Sequence, residues 1–155
     1  MTLHTPIAFE TRRRMQPCLD TPPAAPDHAA MVQAYRHAGG LVSSDCAAVL
    51  LRAHREQPIS QLARWIVGRH IVSFDWQGER LVPLFQFERA DMSLRPRVRE
   101  VVLELTDAFD DDLEVAAWFT SPNSWLRAVV PLVLLEIDAP AVLDAARSDR
   151  YLARG

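Results

Sequence analysis

The sequence predicts a mainly α-helical fold, namely a compact helical bundle with one small β-hairpin. Apolar residues recur at intervals of three and four along most of the chain after residue 28, which is the spacing of a helix face. The interval changes to two only between residues 71 and 87, and such alternation is typical of strands. Hydrophobic residues make up 49% and charged residues 24% of the 155 positions, so the chain can bury a core.

Composition divides the chain into three predicted regions. Residues 1–27 contain five prolines and three consecutive arginines, Arg12 to Arg14, without periodic apolar positions, so we predict a flexible arm. A solvated tail is favoured over a phosphate contact for so short a basic run. Residues 28–70 form a predicted N-terminal helical region, whose first helix stops at a Gly-Gly pair. Residues 71–155 form the third region.

Two short helices in residues 42–69 have the layout of a degenerate helix-turn-helix. Ser43 or Ser44 is expected to cap the first helix and Pro58 to begin the second. The second helix should turn four apolar residues inward, Leu62, Ala63, Ile66 and Val67. In a DNA reader it would present three polar side chains to the duplex, Gln61, Arg64 and Arg69. A solvent-exposed face is favoured instead, because no basic stripe accompanies them and the formal net charge is −3.

Residues 71–87 predict a β-hairpin. Val72, Phe74 and Trp76 alternate with polar residues, and Gln77-Gly78 supplies a turn. The return strand should carry apolar residues at every second position, Leu81, Pro83, Phe85 and Phe87. An isolated hairpin is only marginally stable in water, so we expect its aromatic face to cover the helices rather than to stack on a nucleic-acid base.

An amphipathic helix is predicted from Arg97 to Phe109, with Pro96 at its start. The three acids at 110–112 follow it. We expect them to cap the next helix, because no neighbouring residues supply the mixed ligand spacing of a calcium loop. A final helix should begin at Asp138 and end in a loose tail, Leu152 to Gly155.

The stretch from Leu113 to Leu134 predicts a tight helical corner. Proline lacks an N–H donor and biases the preceding residue out of the helical region, so the helix should stop near Thr120, before Pro122. Asn123 can cap the following turn. Trp125 to Val130 has helical spacing and predicts a second short helix, and Pro131 can open a third.

These residues resemble the toxin-binding domain of the Xre/MbcA/ParS-type bacterial antitoxins. Six positions of the corner match the family motif, Trp118, Pro122, Asn123, Leu126, Pro131 and Leu134. A second match lies upstream and is similar to the family's Pro-x-Phe-Gln-Phe element, Pro83, Phe85, Gln86 and Phe87. The family usually has Gly where this chain has Ala128. If that Gly serves close helix approach, Ala should fit; if it serves positive φ, the local turn must differ.

The resemblance implies an antitoxin whose partner is a RES-domain toxin that destroys NAD+. In that family the C-terminal helix and tail reach the toxin's active-site cleft and occlude it. Carried onto this chain, the toxin-binding residues would be Arg147, Arg150, Tyr151, Leu152, Arg154 and Gly155. An arginine fork can make paired hydrogen bonds with acidic groups in such a cleft, and a tyrosine can anchor an interface. The motif residues at the corner and hairpin are assigned to fold integrity.

Motifs for other chemistry are absent from the sequence. No phosphate-binding glycine loop, nucleophile elbow or zinc-binding helix is present, and the five histidines are dispersed. We therefore expect no catalytic residues, cofactor or metal. Two cysteines and the lack of a signal-like or membrane-spanning run point to a reducing cytoplasm and no membrane partner. A DNA-binding regulator using residues 42–69, an adaptor of the same fold and a homo-oligomer remain open alternatives.

Overall fold

A computed structural model describes residues 28–155. The predicted arm at 1–27, with its three arginines, lies outside the described residues. Within them the chain is mainly α-helical with a small antiparallel sheet, as predicted. None of the described helices combines the length and the apolar character needed to cross a membrane.

Helices and strands alternate only in the first half of the described chain. The helices are α1 Ala29–His37, α2 Ser44–Leu51, α3 Pro58–Val67, α4 Pro96–Ala108, α5 Asp112–Thr120, α6 Pro131–Leu134 and α7 Ala139–Arg154. The strands are β1 Leu41–Ser43, β2 Phe74–Trp76 and β3 Glu79–Pro83. Short 3-10 turns occupy Leu84–Gln86 and Ser124–Leu126.

The sheet separates two apolar clusters. Its order is β1-β3-β2, with both pairs antiparallel. Because successive side chains of a strand point to opposite faces, Leu81 joins the larger cluster with α1, α4, α5 and α7, while Val82 joins the smaller one with α2 and α3. The neighbouring strand repeats this division with Leu41 and Val42.

The predicted hairpin is β2 and β3, joined at Gln77 and Gly78, which both have positive φ. Two details of the prediction are wrong. The return strand ends at Pro83, because the chain turns into a 3-10 helix at Leu84 instead of continuing its alternation through Phe85 and Phe87. The third strand, β1, was not predicted, since its pairing with β3 depends on residues about 40 positions apart.

Several predicted helix ends are confirmed by capping hydrogen bonds. Ser43 Oγ accepts from the Cys46 N–H at 3.2 Å, and Asp111 Oδ1 accepts from the Leu113 N–H at 2.9 Å. Asp138 Oδ1 accepts from the Ala141 N–H at 3.2 Å. Each cap satisfies an N–H group that has no partner within its helix.

Three helical predictions are wrong. Residues Trp125 to Val130 do not form a helix, because Arg127 and Ala128 take left-handed backbone angles. Helix α3 buries Leu62 but leaves Val67 84% exposed, since the sheet and α2 cover only part of its wide apolar face. The C-terminal tail is not loose, because α7 continues to Arg154.

Residues 28–70 and 71–155 both contribute to each of the two apolar clusters. Tyr35 of α1 is fully buried among residues of the third region, and its hydroxyl donates to the Ala116 carbonyl at 2.6 Å. Strand β1 comes from the second region but pairs with β3 of the third. The predicted boundary near residue 70 therefore does not separate two apolar cores.

Candidate interaction surface at the end of the last helix

Helix α7 is held against α4 along its apolar side. Val142, Ala145 and Ala146 of α7 are buried in the larger cluster. The alanines permit close approach of the two helices. The order of their ion pairs shows that the helices run parallel, because Glu104 faces the earlier and Asp107 the later arginines of α7.

These ion pairs form a ladder along the solvent edge of the two helices. Glu104 lies 3.4 Å from Arg147 Nε and 2.7 Å from Arg150 Nη1. Asp107 lies 3.7 Å from Arg150 Nη1 and also pairs with Arg154 Nη2. The three arginines of the predicted toxin-binding set are thus paired within the chain. Each is more than 40% exposed, so solvent screens the pairs and their net contribution to stability is small.

The C-terminal ends of the parallel helices meet at the same end of the molecule. Arg154 Nε donates to the Asp107 carbonyl at 3.2 Å. Arg69 donates to the Thr106 and Phe109 carbonyls at 3.0 and 2.9 Å, and to Asp112 Oδ1 at 3.0 Å. Cations are favourable beside helix C-termini, where carbonyl groups lack helical partners. Arg69 therefore joins the end of α4 to the start of α5, while the contacts of the more exposed Arg154 contribute little to stability.

The last turn of α7 is exposed to solvent at this end of the molecule. Tyr151 is 79% and Leu152 63% exposed, although large apolar side chains are usually covered. A shallow open groove of about 450 Å³ lies beside them, lined by Asp107, Arg150, Tyr151, Arg154 and Gly155. The structure thus brings four of the six predicted toxin-binding residues to one groove. Arg147 lies one turn earlier on the ladder, and Leu152 is exposed outside the groove lining.

A single carboxylate joins α7 to the helical corner. Asp149 Oδ2 accepts from Trp118 Nε1 at 2.6 Å and from Asn123 Nδ2 at 3.2 Å. Its other oxygen, Oδ1, accepts from Trp125 Nε1 at 2.8 Å. Asp149 was not predicted as a functional residue, since nothing in the local sequence distinguishes it from other helix acids. The one available signal was the need of indole N–H groups for partners.

The turn after α5 has a closed hydrogen-bonded backbone. Asn123 Oδ1 accepts from the Trp125 N–H at 2.9 Å, which confirms the predicted cap. The Asn123 carbonyl accepts from the Leu126 and Ala128 N–H groups, and its own N–H donates to the Val129 carbonyl at 3.1 Å. Arg127 and Ala128 have φ of 55° and 63°. Position 128, where the antitoxins that the sequence resembles usually have Gly, therefore takes positive φ here, and Ala adopts it.

The upstream motif has a structural role in the described chain. Gln86 is 2% exposed, and its Oε1 accepts from the Val72 N–H at 2.7 Å. Its Nε2 donates to the Val72 and Pro83 carbonyls at 2.8 and 2.9 Å. The side chain thus pairs with the backbone ahead of β2 as a neighbouring strand would. Phe85 and Phe87 belong to the larger and the smaller cluster respectively.

The three candidate DNA contacts are not brought together. Gln61 and Arg64 lie on α3, where Arg64 Nε donates to the Ser60 carbonyl at 3.4 Å. Arg69 lies beyond the end of α3 and is engaged with α4 and Asp112, so its predicted outward direction is wrong. Residues 52–57 separate α2 from α3, a longer connection than the three or four residues usual in a helix-turn-helix.

Few described groups carry the marks of a reactive centre. Among residues 28–155 no three His, Cys, Asp or Glu side chains converge as metal ligands would. Burial raises the pKa of Tyr35 far above its ordinary value, but its hydroxyl is enclosed in the core.

Comparisons of the chain with protein family models, with curated proteins and with solved structures found no match.

Proposed function

We propose that the protein is an antitoxin-like binding module that neutralises a RES-domain toxin, a protein that degrades NAD+. In this proposal the last turns of α7 enter the toxin's active-site cleft and occlude it. The proposal combines the motif resemblance with one structural observation, which is that Tyr151 and Leu152 are exposed at the tip of a well-anchored helix. An exposed aromatic side chain on a rigid element suits an interface anchor.

The ion-pair ladder defines what the tip would offer to a partner. Arg150 and Arg154 already face carboxylates at a protein surface, namely those of Glu104 and Asp107. Acidic groups in a cleft would provide the same chemistry, because guanidinium groups bind carboxylates through paired hydrogen bonds. Binding would exchange exposed internal pairs for pairs shielded from solvent, where charge interactions are screened less.

Two observations favour a protein partner over DNA. Arg69 is occupied by the C-terminal end of α4, which removes one of three candidate contacts. The exposed face of α3 also carries Ile59 and Val67, at 71% and 84% exposure, instead of a basic stripe. Phosphate contacts dominate the affinity of DNA-binding proteins, and they require clustered cations.

The first test is whether a gene beside that of this chain encodes a RES-domain protein; that protein is then titrated calorimetrically with the purified chain. We expect saturable binding by the full chain. A chain shortened by residues 151–155 should bind at least about tenfold more weakly, since truncation removes the proposed anchors. The unfolding midpoint of the shortened chain should stay close to that of the full chain, because these residues are exposed.

A matched control separates contact from general surface change. Val67→Ser alters an equally exposed apolar residue on α3, across the sheet from α7. Its affinity should equal that of the unsubstituted chain. Binding that survives the truncation would exclude occlusion by the tip, and no binding at all by the full chain would reject the antitoxin proposal. Salt-dependent binding to DNA upstream of the gene for this chain would favour the alternative of a DNA-binding regulator.

A further inference from the structure

The turn at residues 123–129 combines a strained backbone with an exposed Trp125 side chain. Arg127 and Ala128 are consecutive non-glycine residues with left-handed backbone angles. Such conformations are costly for side chains with a Cβ, and they persist only where surrounding structure fixes them. Here the backbone bridge between Asn123 and Val129 fixes them. Strain of this kind is found at ligand clamps and binding loops.

Trp125 presents a large aromatic surface from this turn. Its side chain is 52% exposed, whereas Trp118 and Leu126 of the same corner are buried. The Trp125 indole is nevertheless fixed, because its Nε1–H donates to Asp149 and its backbone N–H donates to Asn123. An aromatic ring held in place before association loses little conformational entropy on binding.

Arg127 adds a cation next to that ring. Its side chain is exposed, and within residues 28–155 no hydrogen bond or ion pair engages its guanidinium group. The arginines of α7 differ, since each of them faces an acid of α4 or α7. Trp and Arg are the residue types most enriched among interface residues that dominate affinity.

The turn adjoins the tip of α7. Trp125 bonds to Asp149, and Leu152 lies three residues further along α7, on the same side of the helix. One turn of α7 thus separates Leu152 from the Asp149 carboxylate that holds Trp125. A partner that covers the tip of α7 would meet the Trp125 ring within the same footprint.

We propose that Trp125 and Arg127 form a second contact element for the same partner. The partner surface would offer an apolar pocket for the Trp125 ring and a carboxylate for Arg127, because a cation without an internal acid is complementary to an acidic partner group. This inference rests on the proposed function. It extends the interface from the tip of α7 to the strained turn and assigns Asp149 as a positioning residue for Trp125.

The experiment compares two variants in the calorimetric titration proposed above, against the RES-domain protein used there. Trp125→Ala removes the ring, and we expect at least about tenfold weaker binding. Arg127→Asn removes the charge but keeps a residue type that tolerates left-handed angles. We expect about tenfold weaker binding from it as well, while its midpoint of thermal unfolding is unchanged or higher. If Arg127 had only a structural role, its loss would not weaken binding while leaving the midpoint of thermal unfolding unchanged or higher.

Ala128→Gly serves as the matched control, because it relieves strain in the same turn without altering either anchor. Its affinity should stay within about twofold of the unsubstituted chain. If the unsubstituted chain binds and Arg127→Asn binds equally well, the inference is overturned and the proposed function stands. If Trp125→Ala binds equally well, the inference is likewise overturned. If the unsubstituted chain does not bind, the proposed function and the inference both fall.

Discussion

At the scale of single residues, the helical corner depends on groups whose roles differ from their appearance in the sequence. Ala128 looks like an ordinary small residue, yet it occupies a left-handed position with φ of 63°. Asp149 looks like a solvated helix acid, yet it accepts hydrogen bonds from three side chains of the corner. Each role predicts whether a substitution raises or lowers the free energy of unfolding.

Ala128→Gly should stabilise the protein. A left-handed conformation costs a residue with a Cβ about 1–2 kcal/mol, and glycine avoids that cost but loses some of the gain as chain entropy. We expect the free energy of unfolding to rise by about 1 kcal/mol, as measured by urea denaturation. Ala63→Gly makes the same chemical change inside α3 and should lower it by about 1 kcal/mol. If both variants changed the free energy of unfolding in the same direction, the left-handed conformation of Ala128 would be contradicted.

Asp149→Asn should destabilise the corner. The substitution removes the negative charge and turns an amide donor toward indole and amide donors. Hydrogen bonds to charged groups contribute about 1.5–3 kcal/mol each, so partial loss of the set should cost about 2 kcal/mol. Asp144→Asn in the same helix alters an exposed pair with Arg147 and should cost less than about 0.5 kcal/mol. The comparison uses the same denaturation curves, and equal losses would refute the proposed role of Asp149.

At the scale of elements, local patterns were sufficient where a helix end depends on its own neighbours. The caps at Ser43, Asp111 and Asp138 were predictable, because side chain and N–H group are at most three residues apart. Strand β1 was not, because its partner β3 is remote in sequence. The apolar spacing after Trp125 misled for a different reason, since local hydrogen bonds between Asn123 and residues up to Val129 override helix formation there.

The candidate surface shows the same division between local and remote information. Tyr151 and Arg154 could be selected as contacts only through the family resemblance, and the structure places both at the groove. The pairing of Arg154 with Asp107 and of Arg69 with α4 could not be foreseen, since each partner lies about 40 residues or more away.

The packing of α1 on α5 should make stability depend on alkaline pH. Burial raises the pKa of Tyr35, whose hydroxyl donates to the Ala116 carbonyl. The folded state keeps this proton above pH 10, while the unfolded chain loses it near pH 10. The unfolded state therefore binds fewer protons there, and the free energy of unfolding should fall by up to about 1.4 kcal/mol per pH unit.

Tyr35→Phe isolates this effect. The variant keeps every other titratable group, and the chain contains no lysine that would ionise in the same range. We expect lower stability at neutral pH, because the Ala116 carbonyl loses its donor. Above pH 10 the variant should lose stability less steeply than the unsubstituted chain. Parallel pH profiles of the two proteins, measured by urea denaturation, would contradict the buried phenol.

At the scale of the whole molecule, the described chain is held together by a sheet with helices on both faces. β1 and α1 come from residues 28–70, but they complete the sheet and core of residues 71–155. Val82 and Phe87 in turn pack against Val42 and Leu51. The region that resembles the toxin-binding domain therefore depends on the preceding helices for its packing.

A fragment of residues 71–155 should not fold on its own. It would expose one edge of β3 and leave Val82 and Phe87 uncovered, and such apolar exposure costs about 25 cal/mol per Å². We expect weak near-ultraviolet circular dichroism and no cooperative thermal transition. A fragment of residues 28–155 should show strong near-ultraviolet circular dichroism and a cooperative thermal transition. A cooperative transition in the shorter fragment would show that the third region is an independent domain.

The most direct test of the proposed neutralisation uses a RES-domain protein encoded beside this chain, if the neighbouring gene specifies one. The rate of NAD+ consumption by that protein is measured while the chain is added in increasing amounts. We expect the full chain to abolish consumption near stoichiometric amounts. We also expect the chain lacking residues 151–155 to stay folded but to inhibit poorly. Undiminished NAD+ consumption in the presence of excess, folded, full-length chain would rule out the proposed neutralisation.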